Sequence, residues 1–339
     1  MKFGPVSVEE AVGKILAHNL VGPDGKKLLG KGHRLSSGDR EILLANGYSS
    51  VVVAALDSTD LGENEAARRV GMAIAGPNVR VVAPGVGRAN LSAEVDGPLY
   101  INVPLLRRLN SIDEGITIAT LREHTPVKTR MLITLVKIIP FGIPAARVED
   151  VEAIAREFGP IVSVRPLKPT SVSLIISGPE RARERLLGDF TSPVEQRIQA
   201  LGSALKPVTF VPHTAEAIVQ ALCEQQAAEA GLIILAGISA IIDRDDVVPT
   251  ALRQAGGSVS HFGAPVDPGS LLMLGYLGNI PVIGAPGCIK STKTNIIDWI
   301  LPRLLAGERL THADLIDMGH GGLLEDINDR PMPRENIED

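Results

Sequence analysis

The apolar positions change rhythm along this chain. In the first half, "YSSVVVAAL" (48–56), "GITIATL" (115–121) and "MLITLVKII" (131–139) are runs rich in β-branched residues. Glycine, proline or charge closes off each of them, and each predicts a strand. Two segments have helical spacing instead. In "DLGENEAARRVGMAIAG" (60–76) Ala66, Val70 and Ala73 recur on one face, and Gly76-Pro77 ends the run. In "SSGDREILLANG" (36–47) Ser36 or Ser37 supplies the N-cap and Gly47 the stop. "PFGIPAARVEDVEAIAREFGP" (140–160) reads as a loop and then a helix, with the domain boundary beside it. Residues 1–150 are therefore expected to form a β-rich accessory region, and 151–339 a second domain with a C-terminal extension.

Beyond residue 169 the pattern becomes an alternation. "SVSLIIS" (171–177), "VTFV" (208–211), "GLIILAG" (231–237), "SVSHF" (258–262) and "IPVIGAP" (280–286) predict short strands. Helical spacing lies between several of them: Val194, Ile198, Leu201 and Leu205 in 193–205, and Ile218, Val219 and Leu222 in 214–227. Strands alternating with helices predict an α/β domain, a mostly parallel sheet with helices on both faces, preceded by a β-rich α+β N-terminal region. In such folds ligands sit outside the carboxyl ends of the strands. That rule turns the strand assignment into a short set of loops.

Three of these loops carry chemistry. "AGISAIIDRDDVVPTAL" (236–252) has Gly237 and Ser239 in a turn, then Asp243, Asp245 and Asp246 around Arg244. Carboxylates after a tight turn suit a hydrated Mg²⁺ held against a phosphate, with Asp243 and Asp246 as the metal candidates. Aspartate at the start of a helix is equally an ordinary cap. "HFGAPVDPGSLLMLGYLGNIP" (261–281) places Pro265 and Pro268 around Val266-Asp267, ahead of Gly269 and an apolar run that fits either a helix or a strand. Such prolines make a rigid wall or a plain turn. "GAPGCIKSTKTNIIDW" (284–299) sets Gly287, Cys288, Lys290 and Ser291 before a helical pattern, as a loop that presents backbone N–H groups to an anion would.

Composition narrows the choices. The chain has 339 residues, enough for two or three domains, with ordinary apolar and charged fractions. Ten aromatic residues and a net charge of −5 argue against nucleic-acid binding. Two cysteines, Cys223 and Cys288, are too few for a disulfide framework or a Cys-rich zinc site. No segment reads as a signal peptide or a membrane span, so a cytoplasmic protein with reduced thiols is expected.

The order of these loops resembles the molybdopterin-binding domain shared by molybdopterin adenylyltransferase and molybdopterin molybdenumtransferase. The resemblance covers residues 170–307. "SLIISGPE" (173–180) is similar to the family's opening strand and Gly-Glu turn. "LAGISAIIDRDDVVPTAL" resembles its double-glycine loop with following aspartates, and "APVDPGSLLMLG" its Pro-Gly-Lys-Pro segment. "VIGAPGCIKSTKTNIIDWILPRLLAG" resembles its Leu-Pro-Gly-Asn-Pro loop and helix, including Pro302 inside that helix. The first half is similar more loosely, through "AVGKILAHNL" (11–20) and "KGHRLSSGDREILLANGYSSVVV" (31–53). The ending "MGHGGLLEDINDRPMPR" (318–334) reads more like bacterial proteins that carry this domain, some joined to a molybdenum-cofactor nucleotidyltransferase.

The resemblance implies a pterin ligand, molybdopterin or the molybdenum cofactor, with room for Mg²⁺. It also implies a homo-oligomer, with a molybdenum-cofactor nucleotidyltransferase or a molybdoenzyme as partner. Its implied site comprises Gly237, Ser239, Asp243, Asp245, Asp246, Pro265, Asp267, Gly269, Gly287, Cys288, Lys290 and Ser291. Departures from the family's pattern bear on chemistry: Ala236 stands for the first loop glycine with no threonine before it, Asp267 for a lysine, Cys288 for an asparagine, and Ile289-Lys290 for the proline-containing end. Binding without transfer, a Mg²⁺-dependent transferase, and a general nucleotide-binding fold therefore all remain open.

Single residues extend these expectations. Cys288 is a candidate reactive thiol at a helix start, or a small loop residue packed on the sheet. Cys223 is expected in the core and Trp299 in the core of the last helix; His213 stands where it caps the 214–227 helix or faces the cleft, with the structural role expected. Arg88 and Asn90 form a polar knot in "GVGRANL" (85–91).

Overall fold

The computed structural model describes residues 1–267 and 269–324. The chain divides into two units, Met1–Arg165 and the remainder from Pro166.

The first unit holds two cores. In one, strands Lys2–Ser7 and Ile15–Leu16 flank Ser50–Ala55 antiparallel, and helix Ser37–Ala45 packs Leu43 against Leu16, Val51 and Val53. Ser36 is the N-cap: its hydroxyl accepts from Asp39 N, and the Asp39 carboxylate accepts from Ser36 N. These Ser36 hydrogen bonds, with His33 at 2.8 Å, lower the Asp39 pKa to about 2. In the other core, a four-stranded antiparallel sheet packs against helix Glu63–Ile74, which in turn packs on Ala145–Phe158. Ala66, Ala67, Val70 and Ile74 form the buried stripe of the first of these helices. Asn90 lies in its sheet within strand Arg88–Ala93, and its side-chain oxygen is buried with no hydrogen-bond partner.

The second unit is the α/β domain. Its strands are β1 (Ser171–Ser177), β2 (Ala204–Leu205), β3 (Thr209–Val211), β4 (Leu232–Gly237), β5 (Ser258–Ala264), β6 (Ser270–Leu277) and β7 (Ile280–Gly284). Its helices are α1 (Arg183–Ala200), α2 (Ala215–Ala227), α3 (Val247–Gln254), α4 (Ile296–Leu305) and α5 (His312–Asp317). The sheet order is β2-β1-β4-β7-β6-β5, with β3 also paired to β1. Pairings from β2 and β3 across β1 and β4 to β7 are parallel, and β6 runs antiparallel to both β7 and β5. The sheet is thus mostly parallel, with β4 near its centre.

Alternation along the central strands builds the two faces. Val172, Leu174, Ile176, Ile234 and Ala236 point to one face, where α1 and α4 supply Leu186, Phe190, Ile300 and Leu304. Ile175, Ile233 and Leu235 point to the other, covered by Leu222 of α2 and Leu252 of α3. Burial on both faces explains why these strands read as continuous apolar runs.

One open reading closes and three expectations change. The apolar run after Gly269 is the strand β6, which folds back on β5 as a hairpin. Helix α1 begins ten residues before 193, because Leu186, Phe190, Val194 and Ile198 form one stripe at four-residue spacing despite Pro193 inside it. Trp299 lies half-buried in α4, which is not the last helix: Thr311 and Asp314 form a capping box that starts α5. Cys223 is exposed, because Ile218, Ala221 and Leu222 hold the buried side of α2 and residue 223 turns past it. The segment 325–334 of the expected C-terminal extension lies outside the described residues.

Candidate functional site

The strand directions bring the expected loops to one edge. Strands β1, β4, β7 and β5 run the same way, because β5 is antiparallel to β6 and β6 to β7. Ser177 pairs with Gly237, Leu235 with Gly284, and Ala264 with Ser270. The turns after Ser177, Gly237, Ala264 and Gly284 therefore share the carboxyl edge of the sheet. Gly237 is required there: a Cβ on it would lie 2.6 Å from Ser177 Oγ and 2.7 Å from Ser177 O. Ser239 follows, exposed, with its hydroxyl donating to Ala240 O at 3.2 Å.

The aspartates shape their own loop. Asp246 caps α3: Oδ1 accepts from Val247 N at 2.7 Å and Oδ2 from Ile242 N at 3.1 Å. Asp243 Oδ1 accepts from Asp245 N at 2.8 Å, an Asx turn, and Asp245 pairs with Arg253 at 2.9 Å. Among the described residues no group of three or more His, Cys, Asp or Glu side chains is placed to hold a metal ion.

The β5–β6 turn meets the C-terminal stretch. Asp267 N donates to Gly322 O at 2.8 Å, and Pro265 packs against the Cα of Gly319 and Gly322, where any side chain at 322 would strike Pro265 O. Asp267 has φ +61°, in the left-handed region that aspartate tolerates better than most residues. Gly269 is exposed, with open space where a Cβ would stand. Cys288, half-buried, sits beside this turn. Burial pushes its thiol above the usual range and the Asp267 carboxylate adds to the rise, while a hydrogen bond with Ser270 opposes it. Of the two readings of Cys288, the raised thiol favours the small residue packed on the sheet over the reactive thiol at a helix start.

The third loop does not run directly into a helix. Gly287–Lys290 is a single 3-10 turn, and α4 begins only at Ile296. The Asn295 side chain accepts from Ile297 N, and Asp298 accepts from Asn295 N. The helix start is therefore closed by its own capping box, and what faces outward is the turn at Gly287, exposed and with open space at its Cβ position. Lys290 turns toward α1, pairing with Asp189 at 3.1 Å and lying 4.5 Å from the centre of the Phe190 ring. Ser291 Oγ accepts from Lys293 N at 3.1 Å.

Two residues absent from the expected set organise this edge. Arg197 of α1 donates to Asp298 and to the main-chain oxygens of Ile289, Ser291 and Lys293, fixing the whole third loop. Ser177 is buried at the end of β1, its Oγ 2.8 Å from His213 Nδ1. Helical spacing to Val194 and Ile198 hints at where Arg197 lies, but nothing local marks Ser177. Two open depressions of about 450 Å³ and 390 Å³ are lined by first-unit residues such as Arg108, Arg147 and Tyr100, and by none of these loops.

Residues 173–306 match the model of a family described as "Probable molybdopterin binding domain". The match spans β1 through α4 and so contains all of the strands and loops of the carboxyl edge. Residues 5–55 match a domain of unknown function (DUF8806). Among solved structures, molybdenum cofactor biosynthesis protein B is 16% identical, covering 41% of this chain and 94% of its own, with a TM-score of 0.32. A molybdopterin biosynthesis moea protein from Pyrococcus horikosii is 13% identical, covering 90% of this chain and 75% of its own, with a TM-score of 0.30. No curated protein matches the chain. Among the described residues no helix is long and apolar enough to cross a membrane.

Proposed function

We propose that the second unit binds molybdopterin, or the molybdenum cofactor made from it, at the carboxyl edge of its sheet, serving the biosynthesis or delivery of that cofactor. One observation carries this reading: the turns following β1, β4, β5 and β7 meet at one edge, inside the family-matched residues. The edge suits the ligand. Gly269 and Gly287 are exposed with empty space in place of a side chain, so a flat ring or a phosphate can reach the backbone. Gly237 and Ser239 bind from the side of β4, and Pro265, Asp267, Cys288 and Ser291 line the side of β5 and β7. Asp243, Asp245 and Asp246 stiffen the loop that carries Ser239. The pterin supplies the metal-binding chemistry once bound, and this chain's residues bind and orient it.

Titration with molybdopterin tests this reading. Ser239→Trp and Gly287→Glu, both at exposed positions, are each expected to weaken binding at least tenfold (about 1.4 kcal/mol). Unchanged affinity in both variants, with the fold intact, removes these loops from the site. Pterin fluorescence from oxidised extracts of the purified protein gives an independent check.

The acidic loop favours a second reading, a Mg²⁺-dependent adenylyl- or molybdenumtransferase with Asp243 and Asp246 at the metal. Asp267 weighs against molybdate insertion: unit charges about 4 Å apart at an effective dielectric of about 20 repel by about 4 kcal/mol. An insertion assay with molybdopterin-AMP, molybdate and Mg²⁺ separates the two readings. Turnover by the wild-type protein favours the transferase.

A further inference from the structure

His213 follows β3, whose last residue Val211 lies in register with Ser177. The cap of α2 is not His213 but Thr214, whose hydroxyl accepts from Ala217 N at 3.3 Å. The imidazole is free of capping and instead places Nδ1 2.8 Å from Ser177 Oγ. Ser177 is 1% exposed, and its Oγ also lies 3.4 Å from the carbonyl oxygen of Ala236. The Ala236 carbonyl can only accept, and a charged imidazole can only donate. With a proton on Nδ1, in the neutral ring as in the charged one, His213 donates to Ser177 Oγ and the serine O–H donates to Ala236 O; in the charged ring Nε2–H is a second donor, open to a ligand. Ser177 is too deeply buried to attack a substrate, so it serves as the fixed acceptor that aims the ring.

The charged groups around the ring are mostly engaged elsewhere. Among the described residues no ion pair includes His213. Glu180 and Arg183, at the entrance to α1, pair with each other at 3.1 Å, and Arg183 stacks 5.4 Å from the centre of the Phe210 ring. Glu216 lies in the first turn of α2. Across the sheet edge, Lys290 is paired with Asp189 and Arg197 with Asp298 and main-chain oxygens. Those two cations are engaged in holding loops.

We propose that His213 is a proton-switched anion contact of this site, binding the phosphate of the pterin when the ring is charged, with Ser177 as its positioning residue. The proposal rests on the pterin-binding reading above. It adds a residue and a pH dependence to that reading. A charged donor binds phosphate more strongly than a neutral one.

The test compares neopterin monophosphate with neopterin, at pH 6.0 and pH 8.0, on the full chain and on His213→Asn and Ser177→Ala. Circular dichroism confirms that each variant is folded. The wild type is expected to prefer the monophosphate by about tenfold more at pH 6.0 than His213→Asn does, with neopterin itself bound equally by both. Ser177→Ala is expected to lose part of that preference while keeping its pH dependence. Equal monophosphate binding by the wild type and His213→Asn at both pH values overturns the role of His213 and leaves the pterin reading standing. If neither pterin binds the wild type, the pterin reading fails. Inorganic phosphate is then titrated while the His213 ring resonances are followed by NMR. A shift abolished by raising the pH upholds the anion contact on its own, and no shift overturns it too.

Discussion

Arg197 Nε donates to Asp298 Oδ1 at 2.9 Å, joining the last turn of α1 to the capping box of α4. The rest of the same guanidinium holds the oxygens of Ile289, Ser291 and Lys293, so one side chain sets the path of the third loop. Its side chain is 9% exposed, and removing it takes the donor from the part-buried oxygens of Ile289 and Ser291. Arg197→Met is expected to cost about 1–3 kcal/mol in urea unfolding, since the lost charged hydrogen bonds leave part-buried acceptors without their donor. Proteolysis is expected to cut first between residues 287 and 295. A loss below about 0.5 kcal/mol would show that the loop holds its own shape.

His261 on β5 and His312 on α5 face each other Nδ1 to Nδ1 at 2.7 Å, a distance that requires one shared proton. Burial, then the charge of His312 and that of Arg244, lowers the His261 pKa below 6.5, with a backbone hydrogen bond at Gly263 opposing. The folded state thus holds fewer protons here than the unfolded chain just below pH 6.5, and stability rises with pH in that window. This contribution is complete above the usual histidine range and is lost as pH falls through the lowered value. Thermal unfolding from pH 8 to pH 5 is expected to show an acid-side loss in the wild type that is smaller in His261→Asn. Parallel curves for the two proteins would refute it.

Gly237→Ala tests the tightest point of the edge. Its Cβ would meet both the hydroxyl and the carbonyl of Ser177, and overpacking of this kind costs about 1–3 kcal/mol. Adding Ser177→Ala removes the hydroxyl but leaves the carbonyl at 2.7 Å, so the double variant is expected to recover only part of the loss. Full recovery, measured by denaturant midpoint, would place the strain in the side chain alone.

Asp267→Asn is expected to make Cys288 more reactive. The substitution removes a negative charge that raises the thiol pKa, and asparagine tolerates the φ of +61°. In a Cys223→Ser background, which removes the exposed thiol, alkylation by iodoacetamide at pH 8 is expected to quicken a few-fold. An unchanged rate would show that burial alone controls this thiol.

The strands of the second unit were legible because both faces are covered: a run such as 232–237 leaves a period-two code no polar position to show, and the serines of 171–177 are themselves largely buried. Their directions also followed from the alternation with helices, which is why the Gly237, Asp267 and Gly287 turns could be grouped before any coordinates. The hairpin of β5 and β6 was hidden, since its buried apolar run has no period to separate helix from strand. Cys223 misled because it adjoins Leu222 in sequence, whereas one helical step of about 100° carries it out to solvent. The pair of Lys290 with Asp189 is invisible in the loop itself, because Asp189 lies 101 residues away in the chain and only tertiary structure brings the two together. Arg197 and Ser177 were missed for the same reason.

Both borders of the second unit's sheet are interrupted. On one side β1 is lined by two fragments, Ala204–Leu205 and Thr209–Val211, too short to template a neighbour. On the other, β5 breaks register with β6 twice, between Val259 and His261 and between Phe262 and Ala264, and Gly263 has φ +80°. Kinks of this kind deny an incoming chain a straight row of amides and carbonyls. Ribbon-like growth of this unit, strand upon strand into fibres, is therefore blocked at both borders of its sheet.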